Sequence, residues 1–289
     1  MLGFCVLAPL GDALAKVLGQ EMPILHLITV RFGFQVLILV PLVIASRRVL
    51  WGSARLVRLT ALRTVLHILG IGMMFTALKY LPIADAVAIA FVMPFIMLVL
   101  GKTVLNEVVG PHRLAACIVG FIGTLLVIQP NFATVGSPAL LPLGVAVVFA
   151  LFMLVTRQIA KEVDPIGLQA ASGIMACIIL IPTTLFAPTF GLAGTIEMPD
   201  HTELLLLAIM GVIGTSAHLL MTWSLRFAPS ATLAPMQYLE IPFATVIGWL
   251  VFRDLPNGLA AIGIAVTISA GLYVIWREQV SASAARASA

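Results

Sequence analysis

The sequence predicts an all-α membrane protein of ten transmembrane helices, arranged as two inverted five-helix repeats. Three observations carry that prediction: an apolar composition, ten apolar runs of spanning length, and a match between the two halves of the chain. Of 289 residues, 61% are hydrophobic and 10% charged, against about 45–50% and about 25% in a soluble domain. That composition excludes a water-soluble globule, a disordered chain, a disulfide scaffold and a collagen-like repeat. The formal net charge of +4 is read against a lipid bilayer, and no nucleic-acid partner is expected.

A helix needs about 20 mostly apolar residues to cross a bilayer. Runs of that kind cover 2–18, 24–45, 59–79, 82–101, 113–129, 141–157, 167–187, 202–223, 229–251 and 258–276. The first has no basic segment ahead of it, unlike a secretory signal. Pro23 and Pro165 open the second span of each half, and Pro82 and Pro229 the fourth, where a missing N–H leaves no helical bond unmade. Leu114–Ile128 is a long unbroken run without the apolar/polar alternation of an outer-membrane strand. The loops are short and leave no room for a soluble domain. Ser/Ala-rich residues 278–289 are expected to form a disordered tail. Cys5, Cys117 and Cys177 lie inside apolar runs without metal-ligand spacing and read as buried hydrophobes, so no cofactor or metal is expected.

Lys and Arg set the orientation. With the N-terminus cytoplasmic, the inner loops and nearby helix ends hold Arg47, Arg48, Arg55, Arg58, Arg63, Lys102, Arg113, Arg157, Lys161, Arg226, Arg277 and Arg286. The outer set is Lys16, Lys79 and Arg253, and Arg31 falls within a span. The bias, 12 to 3, places both termini in the cytoplasm.

The halves match at an offset of 147: Leu78-Lys79-Tyr80-Leu81-Pro82 against Leu225-Arg226-Phe227-Ala228-Pro229, and Gly123–Ile128 against Ala270–Ile275. Pro94-Phe95 matches Pro242-Phe243 with one residue slipped. This divides the chain into repeats at 1–136 and 137–277. Five is odd, so the repeats enter the membrane oppositely, as in secondary transporters that hold substrate near the midplane.

Pro94-Phe95, Asn106-Glu107, Arg113 and the Gly120/Gly123 helix resemble the EamA repeat of the drug/metabolite transporter superfamily. Glu240-Ile241-Pro242-Phe243 followed by Arg253-Asp254 resembles its second copy, and Asp12, Lys16 and Arg31 also look like that family. The resemblance spans nearly the whole chain and is most similar to ten-helix bacterial amino-acid exporters of the YddG type. It implies export of amino acids and related metabolites across the bacterial inner membrane through a central cavity. Met93, not an acid, precedes Pro94 in the first half, so Glu240 is single-copy.

Ionisable groups within a bilayer are costly and normally face protein or water. Glu240 lies midway along the ninth span with Gln237 on the same face. Pro94 and Pro242 should kink their helices and free carbonyls for an ammonium group. Asp12 and Lys16, spaced i,i+4, should pair along the first span. Arg31 is either a structural anchor or a bidentate clamp on a substrate carboxylate. His67 and His218 are packed histidines or proton carriers. Tyr80, Phe91, Trp223 and Tyr238 are candidates for an aromatic cavity wall. Glu107 and Asp254 end the fourth and ninth spans and read as structural or gating contacts. The expected partners are a small-molecule solute, the lipid bilayer and protons. No GxxxxGK[ST] motif marks an ATP-driven pump. A cationic-drug exporter of the same superfamily is the alternative, with a membrane-embedded enzyme more distant because the acids are scattered.

Overall fold

In the computed structural model, which describes residues 1–106, 110–190, 199–233 and 235–287, the described chain is helical and its helices follow the apolar runs. The first half comprises α1 (Leu2–Glu21), α2 (Ile24–Ala45), α3 (Ala54–Leu78), α4 (Ile83–Ala90), α5 (Met93–Val104) and α6 (Pro111–Val135). After the 3-10 turn Ser137–Leu140 come α7 (Leu141–Ile159), α8 (Pro165–Phe186), the turn Ala187–Phe190 and α9 (His201–Phe227). The chain closes with α10 (Ser230–Leu233), a 3-10 segment Pro235–Leu239, α11 (Glu240–Phe252) and α12 (Gly258–Ala287).

Local chemistry sets the ends. The Ser53 hydroxyl accepts the Leu56 amide at the start of α3. The Asp164 carboxylate accepts the Ile166 and Gly167 amides ahead of α8, and Asp200 and Glu203 form a reciprocal capping box at α9. Gly136, at φ +76°, ends α6 in a conformation that a side chain would strain. The third helix begins at Ala54, five residues ahead of its apolar run, and α12 continues through the expected tail as far as Ala287.

Among the described residues, eight helical stretches are long and apolar enough to cross a membrane: the first three helices, Ile83–Val104, Leu114–Val135, Ser137–Ile159, Pro165–Thr189 and α9. Met236–Phe252 and Gly258–Tyr273 are shorter apolar helices. The outer surface is apolar, with Leu37, Ile44, Ile178, Leu205 and Leu250 exposed, whereas Arg31, Gln35, Arg63, His67, Gln169 and Gln237 are buried. Water would penalise an apolar surface of that extent; lipid does not.

The helices pack in a recurring pattern. α1 lies on α9 and α3 on α7, while α2 packs on α8, α4 on α11 and α6 on α12. The α6–α12 contact is a backbone approach: a Cβ on Gly263 would stand 2.5 Å from the Gly123 carbonyl oxygen. Only residues without side chains fit such a crossing.

Two apolar stretches are broken rather than gently kinked. The fourth parts at Phe91-Val92, leaving Pro94 in the first turn of α5. The ninth passes through α10 and the 3-10 segment before Pro242 enters the first turn of α11. A proline removes one helical donor and clashes with the preceding turn, so each break lies just ahead of its proline.

Candidate functional site

Both breaks open on one cavity of about 610 Å³ in the middle of the bundle. Ala90, Phe91 and Met93 border it from the first break and Glu240 from the second, and the Phe91 and Tyr238 rings meet at 5.4 Å. Phe4, Met74, Phe75, Val145 and Phe149 give it a largely apolar wall. Asp12 of α1, Glu240 of α11 and His218 of α9 supply the polar part of that wall.

A second recess, about 360 Å³, adjoins the first and shares Ala8, Asp12, Ile71, Phe75 and His218 with it. Arg31 borders this recess. Its Nη2 donates to the Gly214 carbonyl at 3.5 Å and meets His218 Nδ1 at 2.9 Å, while Nη1 is buried with no partner. The guanidinium fits because position 214 has no side chain; a Cβ there would lie 2.7 Å from Arg31 Nε. Among the described residues no ion pair within 4.0 Å satisfies Arg31, Asp12 or Glu240. Asp12 borders both recesses, Arg31 the second and Glu240 the first, so the three groups line a continuous path.

On the neighbouring α3, one turn before His67, Arg63 is fully buried and differently housed. Nε donates to Thr156 Oγ1 at 2.8 Å, Nη1 to Ser172 Oγ at 2.6 Å, and Nη2 to Gln169 Oε1 at 2.9 Å and Thr222 Oγ1 at 3.4 Å. Its carbon centre stacks 4.5 Å from the Phe152 ring centroid. Counted by position, Arg63 falls at a cytoplasmic helix end; the structure corrects this, because the earlier start of α3 carries position 63 into the bundle. The sequence did hold a signal: Thr60, Thr64 and His67 lie within a helical turn of it and make a polar stripe. His67 packs between Phe32, Phe152 and His218, with ring centroids at 5.1, 4.6 and 4.3 Å.

The remaining candidates divide. Phe91 and Glu240 line the cavity; Pro94 and Pro242 shape the breaks without lining it. Tyr238 is buried against Phe91 and over Gly120, and Gln237 Nε2 contacts Met153 Sδ at 3.1 Å. Tyr80 is 55% exposed at the α3–α4 turn, and Trp223 packs beside Leu39, Val43 and Ile166, so neither reaches the cavity. Lys16 does not pair with Asp12. It binds Asp254 Oδ2 at 3.2 Å and the Leu81 carbonyl at 3.0 Å, closing the end of the bundle where α3 finishes. At the other end, Arg48 pairs with Asp164 and Arg55 with Glu162 at 2.9 Å, while Arg226 donates to the Val163 carbonyl at 3.1 Å. Glu107 lies outside the described residues. Among the described residues no three His, Cys, Asp or Glu side chains gather as a metal site requires.

Comparison with known proteins fits this architecture. The model of the EamA-like transporter family matches residues 1–129 and 136–277. A riboflavin transporter of Rhizobium johnstonii is 28% identical over 75% of this chain and 69% of its own length. S-adenosylmethionine uptake transporters of Rickettsia bellii and Rickettsia prowazekii are 25% and 23% identical, over 93% and 96% of this chain and 89% and 92% of theirs. These relatives are not amino-acid exporters by name, so the finer likeness expected from the sequence is not the one found. A crystal structure superposes with a TM-score of 0.72 over 94% of this chain and 95% of its own, at 19% identity, a likeness of fold.

Proposed function

The chain belongs to the EamA-like transporter family, and from that premise we propose a secondary transporter that carries a small organic solute with a cationic group, such as an amino acid or a related metabolite. The observation that carries this reading is the pair of carboxylates, Asp12 and Glu240, facing an aromatic cavity between two broken helices without an ion pair. An ammonium or sulfonium group would find charge there and a cation–π surface on the phenylalanines. Alternating access would expose it to each side in turn, without a chemical step on the solute.

Ten spans in two inverted repeats, 1–136 and 137–277, are part of the same proposal. The packing supports it. Exchanging each helical span for its counterpart turns the α1–α9 contact into the α7–α3 contact and leaves the α2–α8, α4–α11 and α6–α12 contacts in place. A two-fold axis in the membrane plane has that property. The Lys and Arg bias supports an inner-membrane location with both termini cytoplasmic. Direction is set by the solute and ion gradients, with proton exchange as the coupling proposed for Glu240.

A second reading, riboflavin or a similar planar solute, draws on Phe4, Phe75, Phe91 and Phe149 in the wall and on the riboflavin transporters among the relatives. Counterflow into sealed proteoliposomes decides. Vesicles preloaded with methionine, S-adenosylmethionine or riboflavin should accumulate the matching labelled tracer only if the chain carries it. Accumulation of riboflavin alone would overturn the cationic reading.

A further inference from the structure

The second recess has its own chemistry. Arg31 is 4% exposed, yet one of its two terminal nitrogens is buried without a hydrogen bond. Leaving a buried charged donor unpaired is costly, so folded proteins rarely keep one without a use for it. The groups that Nη2 meets, the Gly214 carbonyl and His218 Nδ1, which itself lies 3.0 Å from that carbonyl, carry no negative charge and leave the guanidinium uncompensated. Asp12 stands beside the same recess but forms no ion pair with it within 4.0 Å.

We propose that this recess is a carboxylate subsite: the free edge of Arg31 takes a substrate carboxylate, Asp12 takes the neighbouring amino group, and the side chain extends into the aromatic cavity toward Glu240. The inference rests on the transport reading above and narrows it from cationic solutes to those that are zwitterionic at one end. The order of the charges carries the assignment. Arg31, Asp12 and Glu240 follow one another along two adjoining recesses, so the first two match an α-amino-carboxylate head. Glu240, on the far wall, suits an apolar chain or a second cation such as a sulfonium. His218 borders both recesses with its Nδ1 2.9 Å from Arg31 Nη2, and so positions the guanidinium. Gly214 is a steric condition of the subsite, because any side chain there pushes on Nε.

The test is competition in the counterflow assay with full-length protein. Labelled methionine and labelled S-adenosylmethionine serve as tracers. The competitors are methionine, its methyl ester and 3-(methylthio)propylamine, which keep the thioether and amine while the carboxylate is masked or removed. Wild-type protein should favour methionine over either analogue roughly 10- to 100-fold, the worth of one or two charge-assisted hydrogen bonds. Arg31→Gln should reduce that preference to within about threefold, and Arg31→Lys should restore part of it as a point charge without the fork. Gly214→Ala, which displaces the guanidinium without changing any charge, should also narrow the ratio, and it carries the test if the Arg31 variants do not fold. Equal competition by acid and amine in the wild type overturns the subsite, as does undiminished preference in both Arg31→Gln and Gly214→Ala. Counterflow of labelled riboflavin with neither labelled methionine nor labelled S-adenosylmethionine overturns the subsite and leaves a transporter. No counterflow of any solute overturns the transport reading, and the subsite with it.

Discussion

Arg31 and Arg63 stand on neighbouring helices of one bundle, 4% and 0% exposed, and neither has a carboxylate within ion-pair distance among the described residues. They differ in what surrounds them. Arg63 uses all three nitrogens on four neutral oxygens from α7, α8 and α9, with an aromatic ring against its face. Arg31 leaves a nitrogen unbonded, and the residue borders a recess. A buried cation already solvated by fixed dipoles has little binding capacity left and acts as a joint between helices. One with a free donor and a cavity beside it keeps that capacity for a ligand.

The largest effect expected from this contrast is on stability at Arg63. Arg63→Met removes four hydrogen bonds that tie α3 to α7, α8 and α9, and strips partners from Ser172 and Gln169. The loss should be about 3–5 kcal/mol, as for breaking other buried charged networks. It would read as a sharply lowered melting temperature in detergent and little protein in the membrane fraction. Arg63→Lys should not rescue, since an ammonium cannot fork to oxygens on three helices. A variant that melts like the wild type but carries no solute would make Arg63 a transport residue and break the contrast.

Next in size is Glu240→Gln, a change of function with the fold retained. With one cavity carboxylate neutralised, the apparent affinity for S-adenosylmethionine or lysine should fall roughly 10- to 100-fold, the weight of a charged hydrogen bond. The sign with pH follows from the charge. Acid protonates a carboxylate and weakens cation binding, so wild-type affinity falls as pH drops. In Glu240→Gln that slope becomes shallower, with Asp12 and His218, the other titratable groups of the cavity wall, carrying the remainder. An unchanged slope would remove Glu240 from proton coupling.

The two ends of the bundle sharpen the comparison further. Lys16 is mostly covered, with 15% of its side chain exposed, and is held by Asp254, the Leu81 carbonyl and the Phe252 ring. Lys16→Met should therefore cost about 1–2 kcal/mol, more than a surface pair and much less than Arg63. A melting curve measures it. A rise in counterflow rate at the same stability would identify the contact as a gate that restrains opening.

What could be read ahead of the structure depended on range. The apolar runs fell on helices because lipid imposes a local, contiguous pattern, and Pro94 and Pro242 announced kinks, which proved to be full breaks, because proline acts on its own turn. Asp12, Arg31, Phe91, His218 and Glu240, singled out as rare polar or aromatic groups in apolar runs, border the cavity or its recess. Pairings across the bundle were not legible. Lys16 has Asp12 one turn away and Asp254 at a separation of 238 residues, and only the fold decides for the second. Arg63 was missed because charge counting assigns a residue by its distance from an apolar run. Its true partners, Thr156, Gln169, Ser172 and Thr222, are neutral residues that such counting ignores. Tyr80 and Trp223 failed as wall residues because aromatic type alone does not say which face of a helix turns inward.

The smallest expected effect is at Arg55 and Glu162, an ion pair whose side chains are 55% and 46% exposed. Water and salt screen both charges, and two long side chains lose rotamer freedom in meeting, so Arg55→Gln should change stability by about 0–1 kcal/mol. Its melting temperature should match the wild type within about 2 °C, and any difference should vanish in high salt. The pair is a useful limit because it is a complete ion pair, whereas Arg63 has none. If Arg55→Gln proved as damaging as Arg63→Met, formal charge pairing, not burial and the satisfaction of every donor, would be what holds these helices together. A Tm left intact with a markedly altered counterflow rate would instead assign the Arg55–Glu162 contact to the transport cycle, as a latch at the end of the bundle opposite Lys16 and Asp254.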